Sequence, residues 1–406
     1  MNIPLPTSRH VVRVKPGAVD RIRDGHPWVF QVALQGIVKG VADGAWVDIQ
    51  DHKGRFLGTG FYNSKSRIVL RVLSTESHQS DADFFQKRIA AAIGHRQEVY
   101  PGRSCFRVLN AESDWMSGLI VDKYEDVLVM QISSTGMEQR KDQIAGALRA
   151  ALKPRAIIER GDGASRKLDG LPESRGVLFG EEPGKIAARI NELVFEVDPL
   201  GGHKTGAYLD QQLNYQAITR WAKGARVLDC FTFHGGFALH AAKAGAAHVT
   251  AIEQSSDAVQ IATRNAAANS LSKQCEFVTD NVFDWFKPAT AKAAQSESGL
   301  YDLVILDPPS FTRSRTEVED ALRGYKEIHL RAMRLLRPGG VLATFCCSHH
   351  VSRELFMSVI TDAAMDSHRA LRLLENFSQS PDHPILPAIP ETEYLKGFAL
   401  QVLPRA

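Results

Sequence analysis

The segment Val227-Leu228-Asp229-Cys230-Phe231-Thr232-Phe233-His234-Gly235-Gly236-Phe237 constrains the fold more than any other stretch of the chain. An apolar run ends on an acidic residue, crosses a short turn and reaches a glycine pair that opens the helix-forming stretch FALHAAKAGA. Strand, tight turn and helix N-terminus make a ligand cradle in open α/β sheets, where ligands bind beyond the carboxyl ends of the strands. The same unit repeats downstream. Residues 248–252 close on Glu253, residues 275–279 on Asp280-Asn281, and residues 301–306 on Asp307-Pro308-Pro309-Ser310-Phe311. A fifth run, residues 340–345, ends in Cys346-Cys347-Ser348. Strands alternating with helices predict an α/β domain with a largely parallel, Rossmann-like sheet over residues 189–406.

Everything before residue 189 has a different pattern. The chain of 406 residues exceeds one ordinary core, so two or three domains are expected. Residues 1–75 alternate short apolar runs with Gly-containing turns, which predicts a small β-barrel-like module. They carry 11 Lys/Arg against 5 Asp/Glu in a chain of net charge +3, so the remainder is net −3. A basic module on a near-neutral body suits a polyanion, with Arg9, Arg13, Arg21, Arg23 and Arg67 as phosphate contacts. A solvated basic face is the plain alternative. Residues 76–188 read as an α+β module: a helix, a hairpin around Lys123-Tyr124-Glu125-Asp126, then a second helix and a strand. No catalytic constellation falls in it.

Several classes are excluded. No apolar run approaches the roughly 20 residues that span a bilayer. The N-terminal MNIPLPTSRHVVRVK lacks the apolar core and cleavage site of a secretory signal. Five cysteines without framework spacing imply reduced thiols and a cytoplasmic protein. With no CxxC and no HExxH, no metal is expected.

The strand ends identify the cofactor. Glu253 follows Asp229 by some two dozen residues, the place from which a carboxylate accepts hydrogen bonds from ribose hydroxyls. Asp280 and Asn281 can bond an adenine edge. A nicotinamide dinucleotide would need the G-x-G-x-x-G loop that admits a pyrophosphate. Here only Gly235-Gly236 is present, behind bulky Phe231, Phe233 and His234. A sulfonium nucleoside has no phosphate, and S-adenosylmethionine fits better. Each carboxylate alone could be a helix cap, the role expected of Asp257; four at successive strand ends argue for a site.

Asp307-Pro308-Pro309 is followed by Ser310, not by the aromatic residue usual in methylation of exocyclic amines. Strand five neighbours strand four in this fold class, which brings a thiol near Asp307. A thiolate adding at carbon 6 of a pyrimidine makes an enamine whose carbon 5 can attack a methyl sulfonium, and a carboxyl group at N3 stabilises the adduct. Adjacent strand residues face opposite ways, so only one thiol can serve. Cys347, nearer the ligand end, is expected to be the nucleophile and Cys346 a core residue.

Taken together, GHPWVF (25–30), ESD (112–114), GHKTGAYLDQ (202–211), FTFHGGF (231–237), DPPSF (307–311), RGYK (323–326), FCCS (345–348), DHP (382–384) and YLKGF (394–398) resemble the bacterial 23S ribosomal RNA cytosine-5 methyltransferases with an N-terminal PUA domain. The resemblance spans nearly the whole chain. It implies a PUA domain at 1–75, an α+β central domain at 76–188 and a seven-stranded class I methyltransferase domain at 189–406. It places the catalytic cysteine at Cys347, with Asp307 beside it. Implied cofactor contacts are Lys204, Thr205, Gly206 and Gln211; the loop residues Asp229, Phe231, Thr232, Phe233, Gly235, Gly236 and Phe237; and Glu253, Gln254, Ser255, Asp280, Asn281, Asp307, Pro308 and Pro309. Lys396 joins the arginines as an RNA contact, the partner is 23S ribosomal RNA, and a homodimer is left open.

The chain departs from the family at four places. Gln212 stands where Arg is usual, and Trp115 follows Glu112-Ser113-Asp114 where the pattern has Gly. DPPSF holds no second cysteine, which leaves the base for the carbon 5 proton unassigned. His349 and His350 follow the thiol as exposed loop residues. The alternatives are a non-catalytic RNA-binding or assembly factor that keeps the cofactor fold, and an N-methyltransferase acting on a base or protein.

Overall fold

The computed structural model describes residues 10–77, 81–202, 205–293, 300–312 and 314–404. The chain divides into two compact units, the first made of Met1–Ala188, Val197–Leu209 and Pro381–Thr392, the second of Arg189–Glu196, Asp210–Ser380 and Glu393–Ala406.

In the first unit, β1 (His10–Arg13), β2 (Trp28–Phe30), β3 (Trp46–Gln50), β4 (Phe56–Tyr62) and β5 (Ile68–Ser74) form one sheet in the order β1-β3-β4-β5-β2. A second sheet holds β6 (Cys105–Asn110), β7 (Leu119–Tyr124), β8 (Val127–Ile132), β9 (Ala156–Gly161) and β10 (Ser174–Phe179), in the order β10-β9-β8-β7-β6. β7 and β8 are the expected hairpin around residues 123–126, paired from Tyr124–Val127 outward. The two sheets share a core in which Trp46, Phe61 and Leu73 pack with Phe84, Phe85 and Met137. The approach is close: a Cβ at Gly136 would lie 2.1 Å from the Phe61 ring.

This unit also buries charge. Arg96 is 1% exposed. It grips Asp114 with both terminal nitrogens and donates to the Asp382 carbonyl at 2.8 Å. Arg107 forks onto Asp122 at 2.8 and 2.9 Å. Trp28 donates its indole N–H to Glu112 at 3.0 Å, and Ser113 donates to the Pro384 carbonyl at 2.7 Å. The GHPW, ESD and DHP motifs are therefore parts of one buried polar frame.

β11 (Ile186–Ile190) and β12 (Leu193–Val197) form a two-stranded sheet. The second unit is built on β13 (Arg226–Cys230), β14 (His248–Glu253), β15 (Cys275–Thr279), β16 (Tyr301–Leu306), β17 (Leu336–Cys346), β18 (Arg369–Ser378) and β19 (Lys396–Pro404). Their order is β15-β14-β13-β16-β17-β19-β18, with β13 to β17 parallel and β19 antiparallel to both its neighbours. β13 and β16 are fully buried along their inner residues, as strands covered on both faces must be. Helices Gly236–Lys243, Ser256–Ala268, Val282–Ala293, Val318–Leu335 and Arg353–Asp366 are the connections. The chain leaves β13 in opposite directions toward β14 and β16, so their carboxyl ends flank a switch point where ligands bind in such sheets. A short helix, Gln212–Ala217, continues as the 3-10 turn Ile218–Trp221 and leads into β13. The seven-stranded class I methyltransferase sheet is the expected fold.

Candidate active site

The glycine loop is shaped by backbone conformation. Phe231 (φ +66°), Phe233 (φ +52°) and Gly235 (φ +86°) are left-handed, two of them against the preference of a bulky L-residue. Gly236 has a steric cause instead: a Cβ there would sit 2.6 Å from the Tyr215 ring. The loop is fastened to β14, since Thr232 N donates to the Ile252 carbonyl at 3.0 Å and Phe233 N to Glu253 Oε2 at 3.1 Å. Glu253 Oε1 accepts from Ser255 N at 3.0 Å. Its carboxylate is thus oriented by two backbone donors, with further lone pairs free to accept from a diol.

Asp229 is fully buried at the end of β13. Its Oδ2 accepts from Thr232 Oγ1 at 2.6 Å and Ala238 N at 3.0 Å, while Oδ1 has no hydrogen-bond partner among the described residues. Burial pushes this carboxyl up to about 7, and the nearby Glu253 charge adds to the rise against the two hydrogen bonds. An orphaned, desolvated carboxyl oxygen is costly unless a cation completes it. The orphan oxygen of Asp229, the oriented diol acceptor Glu253 and the loop between them fit S-adenosylmethionine, a nucleoside with a cationic amino acid arm.

The remaining cofactor residues divide. Asp280 and Asn281 directly follow β15. Asn281 Oδ1 accepts from Phe283 N at 2.9 Å and so caps the next helix, leaving its amide on Gln254 Oε1 at 3.5 Å. Ser255, not Asp257, caps helix Ser256–Ala268, through Ala258 N at 3.3 Å. Gln211 donates to Asp307 Oδ2 at 3.0 Å and accepts from Asn214 at 2.6 Å, so it orients the strand-four carboxylate. Thr205 and Gly206 belong to the first unit, where the Thr205 hydroxyl is buried and donates to Asp122 Oδ2 at 2.6 Å. That hydroxyl is committed to the fold. Lys204 and Arg9 lie outside the described residues.

Strands four and five place the two thiols differently. Cys346 is 0% exposed in the core, with Sγ 3.4 Å from Tyr325 Oη. Cys347, one residue on, is half-buried, and its Sγ lies 3.9 Å from the Pro308 carbonyl oxygen. The Ser348 hydroxyl contacts those of Ser310 and Tyr325, both at 2.9 Å, and ties the strand-five turn to the DPPSF loop. Phe311 packs on Tyr325 with centroids 4.7 Å apart. The RGYK and FCCS motifs mark Tyr325 and Ser348 in sequence, but their roles show only in the fold.

The expected RNA contact Lys396 is corrected by its burial. It is 5% exposed and donates to the carbonyls of Ser348 at 2.8 Å and Val351 at 2.6 Å, so it cannot also offer a surface charge to phosphate. Of the arginines, Arg13, Arg23 and Arg67 are exposed. Arg21 contacts His26 Nε2 at 2.7 Å and pairs with Glu391 at 3.7 Å. Gln212, at the usual Arg position, is buried, with its carbonyl accepting from Asn191 at 2.6 Å. Among the described residues no His/Cys/Asp/Glu group could hold a metal ion, and no helix is long and apolar enough to cross a membrane.

Comparison with known proteins agrees with this geometry. Residues 12–75 match the PUA-like domain family, and residues 167–392 the S-adenosylmethionine-dependent methyltransferase family. The chain is 39% identical over 404 residues to ribosomal RNA large subunit methyltransferase I of Photobacterium profundum, covering 98% of this chain and 100% of that protein. The enzyme of the same name from Shewanella denitrificans is 39% identical, covering 96% and 99%. A solved structure described as a SAM-dependent methyltransferase from Streptococcus mutans shares the fold, with TM-score 0.82 at 20% identity over 97% of this chain and 100% of that one. Another, of a methyltransferase complexed with SAH, aligns with TM-score 0.81 at 20% identity over 97% and 100%.

Proposed function

Since the chain belongs to the ribosomal RNA large subunit methyltransferase I family of S-adenosylmethionine-dependent enzymes, we propose that it methylates carbon 5 of a cytosine in 23S ribosomal RNA. The observation that carries the choice of atom is the division of labour between neighbouring thiols. Cys346 is sealed in the core, while Cys347 is half-buried against the Asp307-Pro308 turn.

In this reading Cys347 adds as thiolate to carbon 6 and makes carbon 5 nucleophilic. Asp307, oriented by Gln211 and Asn214, holds the ring at N3 and stabilises the adduct. The cofactor supplies an electrophilic methyl group; Glu253 holds its ribose and Asp229 its cationic arm. Loss of the carbon 5 proton then expels the thiolate and restores the ring. Residues 1–75 act as the RNA-binding domain, residues 76–188 as the central domain and residues 189–406 as the methyltransferase, with Arg13, Arg23 and Arg67 on phosphates. A large-subunit RNA substrate supports a cytoplasmic location for the enzyme.

An N-methyltransferase reading is disfavoured because Ser310, bonded to Ser348, follows the Pro pair where an aromatic residue would stack the base. The test is methyl transfer from labelled cofactor to unmodified ribosomal RNA, followed by nucleoside mass spectrometry. Label in 5-methylcytosine that vanishes in Cys347→Ala supports the reading. Label on a nitrogen, or transfer unchanged in Cys347→Ala, overturns it.

A further inference from the structure

The buried cation next to the thiol has no role in the mechanism so far. Lys396 opens β19 and sits directly across from Cys346 in the β17–β19 register. Its ammonium donates to the carbonyls of Ser348 and Val351 and so closes the turn that follows Cys347. No carboxylate among the described residues forms an ion pair with it; Glu393, three residues earlier, pairs with Arg353 at 3.3 Å instead. A lysine this deep in a protein is rare without such a partner, because desolvating the ammonium is costly.

We propose that Lys396 is the positioning residue for the nucleophile: its charge favours the thiolate of Cys347, and its two hydrogen bonds fix the turn that presents it. This inference rests on the reading of Cys347 as the attacking group. The groups around the ammonium are few. Cys346 stands across from it in the β17–β19 register, Cys347 lies in the turn that its bond to the Ser348 carbonyl closes, Glu393 is in the segment before β19, and Arg353 is in helix Arg353–Asp366. Tyr325 reaches the same turn through Ser348. Burial pushes the lysine down, and the two thiols oppose that fall. A cation held against this turn favours an anion presented from it. Cys346 is held in the core on Tyr325, so the benefit reaches substrate only through Cys347. The lysine gives up no proton: sulfur supplies the electron pair to carbon 6 and recovers it on elimination, and Lys396 stays charged throughout.

The test compares full-length wild type, Lys396→Met, Lys396→Gln, Lys396→Arg and Cys347→Ala. Alkylation of Cys347 by iodoacetamide is followed by peptide mass spectrometry against pH, and kcat and KM are measured on unmodified ribosomal RNA. In Lys396→Met the alkylation midpoint moves up by about one pH unit, and kcat at neutral pH falls about tenfold with KM for RNA unchanged. Lys396→Arg restores both. If Lys396→Met does not fold, Lys396→Gln decides, because it keeps a donor for the turn but carries no charge. A wild-type midpoint in the folded neutral variant overturns the inference. So does a raised KM for RNA with the midpoint unmoved, which would return Lys396 to phosphate binding. Failure of the underlying reading looks different: Cys347→Ala would then transfer methyl groups at the wild-type rate.

Discussion

The two units differ in how their most prominent charged side chains are completed. In the first, Arg96 closes on Asp114 and Asp382, the half-buried Arg107 on Asp122, and Arg166 on Glu138 at 2.7 Å, while Arg160 is held through its terminal nitrogens by Asp162 and the Pro199 and Gly202 carbonyls. In the second, three charged side chains near the strand ends, two buried and one half-buried, have no ionic partner among the described residues. Asp229 keeps an orphan oxygen, Glu253 is held by backbone with lone pairs to spare, and Lys396 has only carbonyls. Completed charge serves architecture; incomplete charge waits for a ligand or a reacting group.

Substitutions can break this contrast. The largest effect is expected at Cys347→Ala, which should lower methyl transfer at least about a thousandfold with the melting temperature little changed, whereas Cys346→Ala should keep activity and lose stability. Next is Arg96→Leu. Leaving Asp114 buried and unpaired should cost roughly 3–5 kcal/mol in denaturant unfolding, without touching the chemistry of the second unit. Wild-type stability there would deny that the frame is structural. Glu253→Ala should weaken cofactor binding by about 10–100-fold in calorimetry and leave the thiol reactivity unchanged, as loss of a charged hydrogen-bonding partner does.

A smaller effect separates the units by pH. The folded carboxyl of Asp229 sits near 7 against an ordinary value of 3.8. Its protonated form is therefore favoured by folding: the contribution is full below 3.8 and is lost as pH rises through 7. In the cofactor-free protein, Asp229→Asn should thus raise the melting temperature relative to wild type by about 2–4 °C at pH 8 and by less at pH 5. Cofactor affinity should climb from pH 6 to pH 8 in wild type and stay flat in the variant. An equal melting difference at both pH values would remove the titration from Asp229. Smallest is Trp115→Gly. Trp115 is left-handed at φ +59°, and its ring lies 6.0 Å from the Arg88 guanidinium. Relief of backbone strain and loss of the ring contact should nearly cancel, leaving a change within about 1 kcal/mol.

What the sequence disclosed follows from locality. Asp229, Glu253, Asp280 and Asp307 could be placed because each stands within a residue of the end of an apolar run, and β13 to β16 do stop there. Cys346 and Cys347 could be told apart because extended residues alternate sides. The Gly expected at Trp115 has its reason in the positive φ. What stayed hidden depends on distant partners. Lys396 reads as a surface cation in sequence but bonds carbonyls on the 348–351 turn, and the Thr205 hydroxyl points to a carboxylate 83 residues earlier in the chain. Nor does any local pattern show that residues 381–392 fold with the first unit.

The left-handed phenylalanines of the glycine loop also bear on how the protein is made. Phe231 and Phe233 each hold a conformation that costs about 1–3 kcal/mol. The bonds that offset this cost come from Ile252 and Glu253 on the next strand. A nascent chain ending before residue 253 keeps the local bonds of Thr232 and Ala238 to Asp229 but lacks those from β14, so affinity for the cofactor should rise as β14 aligns beside β13. In ribosome-bound chains of increasing length, cofactor protection would then time the closing of the sheet.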